Sequence, residues 1–257
     1  MNKLMLIIKN QWSVIILILI IAAFLRLYNI AELPPGLYPD EAMNGNNALE
    51  SLSTNYFKFF YPENNGREGL FINIQAVFTA IFGNHPWVLR LPSALFGILT
   101  VLGLYFLTKE LFKENSKFEK IALLSSFFLA TSFWHINFSR IGFRAIMAPF
   151  FLTWGIYFLL LSLRKINIFI DIQKKIKNSR LNLKFIIPSI IAGIFYGFGF
   201  HSYIAYRATP LLILIIFLFY LLENKEWQIR KKILVSFFLF SISVIIDFMP
   251  RGLYFLQ

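Results

Sequence analysis

The chain of 257 residues has no cysteine, three histidines and little charge: Asp, Glu, Lys and Arg make up 15% of it, against about 25% in an ordinary soluble domain. Without cysteine, a disulfide scaffold and a thiolate-held metal are excluded. His85, His135 and His201 form no pair at metal-ligand spacing. No glycine-rich phosphate loop and no Ser-His-Asp arrangement is visible, which argues against a soluble sugar-nucleotide or ATP site. Acid is the scarcer sign, with 13 acidic residues against 25 basic ones. What the chain has is apolar surface: 58% hydrophobic, 18% aromatic and a mean hydropathy of +0.64. This is the composition of an all-α polytopic membrane protein, so the net charge of +12 matters by position and does not imply a nucleic-acid partner.

Apolar stretches long enough to cross a hydrocarbon core lie near 12–28, 89–108, 121–137, 147–163, 185–201, 208–222 and 233–249. A further run, 69–83, contains Asn73 and Gln75 and is too short to span. Short cytoplasmic loops collect Lys and Arg. With 69–83 at the interface, the loops 109–120, 164–184 and 223–232 share one side with Lys3 and Lys9, placing 17 of the 25 basic residues inside. Seven spans with a cytoplasmic N-terminus are therefore expected. Lys3 and Lys9 precede an apolar run longer than a signal-peptide core, with no small-residue cleavage pattern after it, so an uncleaved first span is expected. The basic 164–184 stretch reads as a solvated connector touching anionic headgroups.

This topology leaves one long external segment, 29–88. Pro34, Pro35 and Pro39 with Gly36 form a turn that delivers Asp40 and Glu41 to the exit of the first span. Residues 41–52 read as a short amphipathic helix with Asp40 as its N-cap. Asp40 is either a cap alone or also a general base for an acceptor hydroxyl. Glu68, where the chain re-enters the interface, is either an ordinary interfacial charge or a group that binds a cation or a sugar.

Eight basic residues remain on or near the external face: Arg26, Lys58, Arg67, Arg90, Arg140, Arg144, Arg207 and Arg251. Arginine suits phosphate because its planar fork makes bidentate charge-assisted bonds. Clustered with His201, Tyr203 and Tyr206 at headgroup level, such arginines make a plausible seat for a lipid phosphate. The plainer account is snorkelling beside an aromatic belt.

The motifs LYPDEAMN, NGREGLFINIQAVFTAIFG, HPWVLRLPSALFGILTVLGLYFLTKELF, FSRIGFRAIMAPF and GFGFHSYIAYRATP, in this order, resemble the GT-C superfamily of membrane glycosyltransferases. The resemblance is to the branch of protein mannosyltransferases, aminoarabinose transferases and RgtA/B/C/D-like proteins, and it covers essentially the whole chain. It implies a single GT-C-like transmembrane module over 1–257, with interfacial helices in 29–88. It also implies transfer of a sugar from a polyprenyl-phosphate carrier to a glycan, lipid or protein acceptor on the extracytoplasmic face of the cell membrane.

By this resemblance the catalytic carboxylate falls on Asp40, with Glu41 beside it. The acidic residue before the interfacial helix falls on Glu68, and the donor-phosphate segment on His201 to Arg207, with Tyr203 and Tyr206 inside it. Arg67, Arg140 and Arg144 complete the expected donor site. A divalent metal is the one cofactor the pattern allows, with Glu68 its candidate ligand. Two departures stand out. The second-loop Asp of some relatives is Ala148 here, and the spans that follow the seventh in relatives have no counterpart, so the chain reads as the N-terminal part of the family architecture. A lipid-binding protein without transferase activity is the alternative expectation.

Overall fold

The computed structural model describes residues 11–63, 66–175 and 184–254, with side chains except those of 167–175 and 250–254. Lys3, Lys9, Lys177 and Arg180, and the side chains of Lys174, Lys175 and Arg251, lie outside the described residues.

Ten helices carry the chain among those residues: α1 Gln11–Leu27, α2 Pro39–Thr54, α3 Gly69–Phe82, α4 Pro86–Leu111, α5 Phe118–Thr131, α6 Phe133–Arg140, α7 Met147–Lys175, α8 Ile186–Gly199, α9 Pro210–Glu223 and α10 Trp227–Tyr254. Two-residue strands β1 (Phe60–Tyr61) and β2 (Arg67–Glu68) pair antiparallel between α2 and α3. Each of the seven expected spans falls on a helix, but not all are full-length. Four helical stretches are long and apolar enough to cross a membrane, or five counting the bent pair α5–α6, whereas α1 and α8 are apolar but shorter. The expected interfacial segment is α3, whose 14 residues rise only about 21 Å against a core of about 30 Å.

Three local expectations are corrected. The third span is broken at Ser132 by 56°. The 164–184 stretch is not a connector from its start, because α7 runs on to Lys175; its Lys, Arg and Ile residues are adequate helix formers. Finally, α2 begins earlier than Glu41. Tyr38 is its N-cap and Pro39 occupies the first turn, with Asp40 and Glu41 following. Proline belongs there, since its missing N–H is one the helix start leaves unbonded anyway.

The described residues fall in two compact units, one running to Phe150 and including His201–Tyr203, the other made of Phe151–Phe200 and the residues from Ile204 on. In the first, α1, α4 and α5 bury Ile15, Ile18, Ala22, Val101, Tyr105, Ala122 and Ala130 together. The α5–α6 break frees carbonyls that nothing in a hydrocarbon core would satisfy. The fully buried Arg26 supplies the donors: Nη1 bonds Ala130 O at 3.0 Å and Ala22 O at 3.0 Å, Nη2 bonds Leu129 O at 3.3 Å, and Nε bonds Ser139 Oγ at 3.2 Å.

In the second unit, small residues set the packing. Gly193 and Gly197 of α8 face α10 so closely that a Cβ at Gly193 would meet Phe240 O at 2.5 Å, and one at Gly197 would meet Asp247 Oδ2 at 2.6 Å. This is the close approach that small residues at four-residue spacing permit in membranes. Three buried hydroxyls lock the seam: Ser189 lies 2.7 Å from Ser162 and 2.8 Å from Ser236, and both Ser162 and Ser189 donate to Phe185 O.

Candidate functional site

The first turn of α2 is the fixed point of the first unit. Glu41 is 1% exposed. Its Oε1 accepts from Arg90 Nε at 3.0 Å and from the Gly142 N–H at 2.7 Å, while Oε2 accepts from the Tyr38 N–H at 2.9 Å. Arg90 is fully buried and donates its remaining nitrogens to Ile30 O, at 3.0 Å, and to Gly36 O. One ion pair thus joins α2, α4, the proline turn and the loop after α6. Gly142 is required by the close approach: a Cβ there would meet Leu89 O at 2.9 Å, Gln75 Nε2 at 3.0 Å and Glu41 Oε1 at 3.3 Å.

A second arginine clamps the next turns. Arg67, fully buried, donates to Asn44 Oδ1 at 2.6 Å and to Asn47 Oδ1, and its Nε bonds Glu63 O at 3.3 Å. Asn44 and Asn47 lie three residues apart on one helix face. Burial holds the Arg67 guanidinium below its usual pKa, the nearby Arg144 charge lowers it further, and the carboxylates of Glu63 and Asp40 oppose the shift. Asp40 is therefore within electrostatic reach of Arg67. It is half-buried, the less enclosed of the two adjacent acids.

Glu68 is 4% exposed at the N-terminus of α3, and its Oε2 accepts from Arg144 Nε at 3.1 Å. The Arg144 guanidinium lies 5.6 Å from the centre of the Tyr203 ring, whose other neighbour is Phe143 at 6.0 Å. This cation–π contact leaves Nη1 and Nη2 of Arg144 without a hydrogen bond among the described residues. His201 is buried in the same unit.

The expected site residues divide between the two units. Asp40, Glu41, Arg67, Glu68, Arg144, His201 and Tyr203 belong to the first unit. Arg140 belongs there too, but its donors go to Leu25 O, Tyr28 O and Leu33 O at 2.9, 2.7 and 2.9 Å, closing the end of α1. Tyr206 and Arg207 lie in the second unit. Tyr206 is 2% exposed, its ring against Tyr196, Phe200 and Gly199, and Arg207 is exposed. Among the described residues no three His, Asp or Glu converge as metal ligands. Glu68 faces a guanidinium where a cation would sit, so the residues present do not fit a metal at Glu68.

Sequence reading missed the structural roles of Arg90, Asn44, Asn47, Gly142 and Gln75. Gln75 is fully buried and donates Nε2 to Leu89 O at 2.7 Å. A usable signal existed for Arg90: an arginine inside an apolar run demands a partner.

Residues 70–172 match the family described as dolichyl-phosphate-mannose-protein mannosyltransferase. Among curated relatives, YkcB of Bacillus subtilis, itself a proposed mannosyltransferase, is 29% identical over 161 residues, which is 59% of this chain and 21% of YkcB. YycA of the same organism, similarly named, is 31% identical over 40% of this chain and 16% of its own length. The chain therefore spans about a fifth of the length of these relatives. Among solved structures, the oligosaccharyltransferase AglB of Archaeoglobus fulgidus, in complex with an inhibitory peptide and a dolichol-phosphate, superposes with a TM-score of 0.70 at 17% identity. That match covers 93% of this chain and 29% of AglB. The same enzyme with Zn and sulfate gives 0.69 at 19% identity, over 92% of this chain and 31% of that one.

Proposed function

We propose that this chain, a member of the GT-C superfamily of membrane glycosyltransferases, works on the extracytoplasmic face and transfers a sugar from a polyprenyl-phosphate donor to a hydroxyl- or amide-bearing acceptor. The match to a family described by dolichyl-phosphate-mannose and the likeness in fold to an enzyme solved with dolichol-phosphate support the donor class. The observation that carries the reading is the division of labour between adjacent acids. Glu41 is locked by Arg90, Gly142 and Tyr38, which fixes the turn presenting the half-buried Asp40.

In this mechanism Asp40 takes the proton from the acceptor, whose freed electron pair attacks the anomeric carbon from the side opposite the phosphate. The bond from that carbon to the phosphate oxygen breaks, and its electron pair leaves with the phosphate, a leaving group that needs no acid. Arg144, aimed by Glu68 and Tyr203, stabilises the charge developing there. Glu41 and Arg67 position the helix and touch no substrate.

The test is transfer from radiolabelled polyprenyl-phosphate sugars in membranes holding this chain, beside Asp40→Asn at matched expression. Turnover by the parent and at least a hundredfold loss in Asp40→Asn, the scale of general-base catalysis, is the expected result. Donor binding without turnover by either protein would replace the transferase reading with a carrier-binding one.

A further inference from the structure

The turn after α6 carries Arg144, and its backbone is held from three directions before that residue is reached. The Gly142 N–H donates to Glu41 Oε1 at 2.7 Å, the Gly142 carbonyl accepts from Asn44 Nδ2 at 3.2 Å, and the Phe143 N–H donates to Ser93 Oγ at 3.2 Å. Glu41, Asn44 and Ser93 are all buried. Two of these anchors stand on α2, three residues apart and so on one face of the helix. Asp40 lies four residues before Asn44, about 6 Å along the helix axis.

Asn44 also meets the other attachment of Arg144. Its Oδ1 accepts from Arg67 Nη1 at 2.6 Å. Arg67 adjoins Glu68 in the chain, and Glu68 Oε2 accepts from Arg144 Nε at 3.1 Å. A closed circuit results, from Asn44 through Gly142 to Arg144, across to Glu68, and back through Arg67 to Asn44. The neighbours fix the orientation of the amide: a guanidinium only donates and a carbonyl only accepts, so oxygen faces Arg67 and nitrogen faces Gly142. An ionised aspartate of the same size offers acceptors and no donor. Asn47, about one turn further on, provides the contrast. Its Oδ1 accepts from the same guanidinium, but its Nδ2 donates to Glu50 Oε2 at 3.3 Å. Both asparagines share the Arg67 clamp, and of the two it is Asn44 that joins the clamp to the Arg144 turn.

We propose that Asn44 is a positioning residue for the transfer reaction, its amide holding the Arg144 turn in register with the helix turn that bears Asp40, so that donor phosphate and general base are presented as one body. The inference rests on the roles proposed above for Asp40 and Arg144. Arg144 keeps its own orientation through Glu68 and Tyr203. Loosening the Asn44 end therefore changes where the anomeric carbon lies relative to the base more than how tightly the donor is held. A misplacement of about 1 Å between reacting groups costs roughly a hundredfold in rate.

The test compares Asn44→Asp with Asn47→Asp, each in the full chain in membranes. Titration with polyprenyl phosphate gives affinity and the number of sites, and kcat at saturating acceptor is expressed per site, so that loss of folded protein cancels. Both variants keep an oxygen on Arg67, but Asn44→Asp alone sets a carboxylate against the Gly142 carbonyl. The expected result for Asn44→Asp is a fall in kcat of about tenfold to a hundredfold with affinity within about twofold of the parent. For Asn47→Asp both quantities change by less than about threefold. Unchanged kcat in Asn44→Asp overturns the proposal. So does an equal loss in both variants, which would make the clamp on Arg67 the cause, or a loss of affinity in step with kcat, which would place Asn44 in the phosphate seat itself. If Asn44→Asp fails to fold, Asn44→Ala carries the test: it adds no charge, suits a helix interior and leaves Arg67 its bonds to Asn47 and to Glu63 O. Unchanged kcat there is equally fatal. No turnover by the parent overturns the transferase reading and this inference with it, whereas an active parent beside an unaffected Asn44 variant overturns this inference alone.

Discussion

Replacing Arg90 with methionine keeps the side-chain volume roughly constant and removes only the charge and the donors. The Glu41 carboxylate, 1% exposed, then stands without its cation, while the carbonyls of Ile30 and Gly36 lose their donor. Removing one partner of a buried pair costs about 3–5 kcal/mol. Two backbone N–H groups, from Gly142 and Tyr38, still bond Glu41, so the lower end of that range, about 3 kcal/mol, is expected. Glu41→Gln leaves Arg90 its two carbonyls but turns an NH2 toward one of three former donors, a loss of about 1.5–3 kcal/mol for a charge-assisted bond. Because each single variant strands the other member of one and the same pair, the double variant falls well short of the sum. Reversible unfolding in detergent measures all three, and proteolysis of the 28–38 turn localises the damage. A cost below about 1 kcal/mol for Arg90→Met, or strict additivity, would refute the clamp as the element that fixes α2.

Other outcomes follow from the same contacts. Gly142→Ala forces a methyl against Leu89 O and Gln75 and lowers stability by about 1–3 kcal/mol, measured in the same unfolding assay; a neutral result removes the requirement for close approach. Arg140→Lys, which serves carbonyls at the end of α1, lowers thermal stability and leaves donor affinity intact, whereas Arg144→Lys does the reverse; equal effects on both readouts would remove Arg144 from the phosphate site. Ser236→Ala costs about 0.6 kcal/mol and at most about 1.7, the span measured for hydroxyl bonds between membrane helices, and a larger loss would mean that the hydroxyl cluster does more than join helices. Lys58 donates to Glu50 at 2.8 Å, which lowers the Glu50 pKa from 4.5 and raises that of Lys58 from 10.5. Support from the carboxylate is complete above the unfolded value near 4.5 and fades as pH falls through the lower folded one; support from the ammonium is complete below 10.5 and fades as pH rises through the higher folded one. Protection of the Phe60 and Tyr61 amides, with the exchange rate corrected for its intrinsic pH dependence, should therefore fall as pH drops below 4.5, and protection that is unchanged down through that range would contradict this.

Hydropathy and loop charge were enough to place a helix on each expected span, because a bilayer demands long apolar runs, although among the described residues four helical stretches, or five with the bent pair, are long and apolar enough to cross a membrane. They missed the break at Ser132, where SFWH contains neither proline nor glycine and the bend is made affordable by an arginine from α1. Asp40 and Glu41 were legible as a pair but not as unequal partners. Which of two neighbouring acids is buried depends on Arg90, 49 residues away, and on a glycine 101 residues away. Arg67 and Arg140 were read as ligands for phosphate because composition shows the charge and hides the oxygens that meet it. Those oxygens belong to Asn side chains and backbone carbonyls brought in by the fold.

The distribution of arginine then has a single physical cause. Where a helix ends, breaks or meets a turn inside a low-dielectric frame, its free carbonyls need donors, and one guanidinium brings five of them on a stem that packs among apolar side chains. Arg26 serves the α5–α6 break, Arg90 the proline turn and Arg140 the end of α1. All three spend guanidinium nitrogens on backbone carbonyls that the fold brings to them. Subtracting them leaves Arg144 as the guanidinium of this unit whose terminal nitrogens have no hydrogen bond among the described residues, aimed by an acid and an aromatic ring. A phosphate site built on that residue draws on low dielectric and fixed orientation, not on the number of cations.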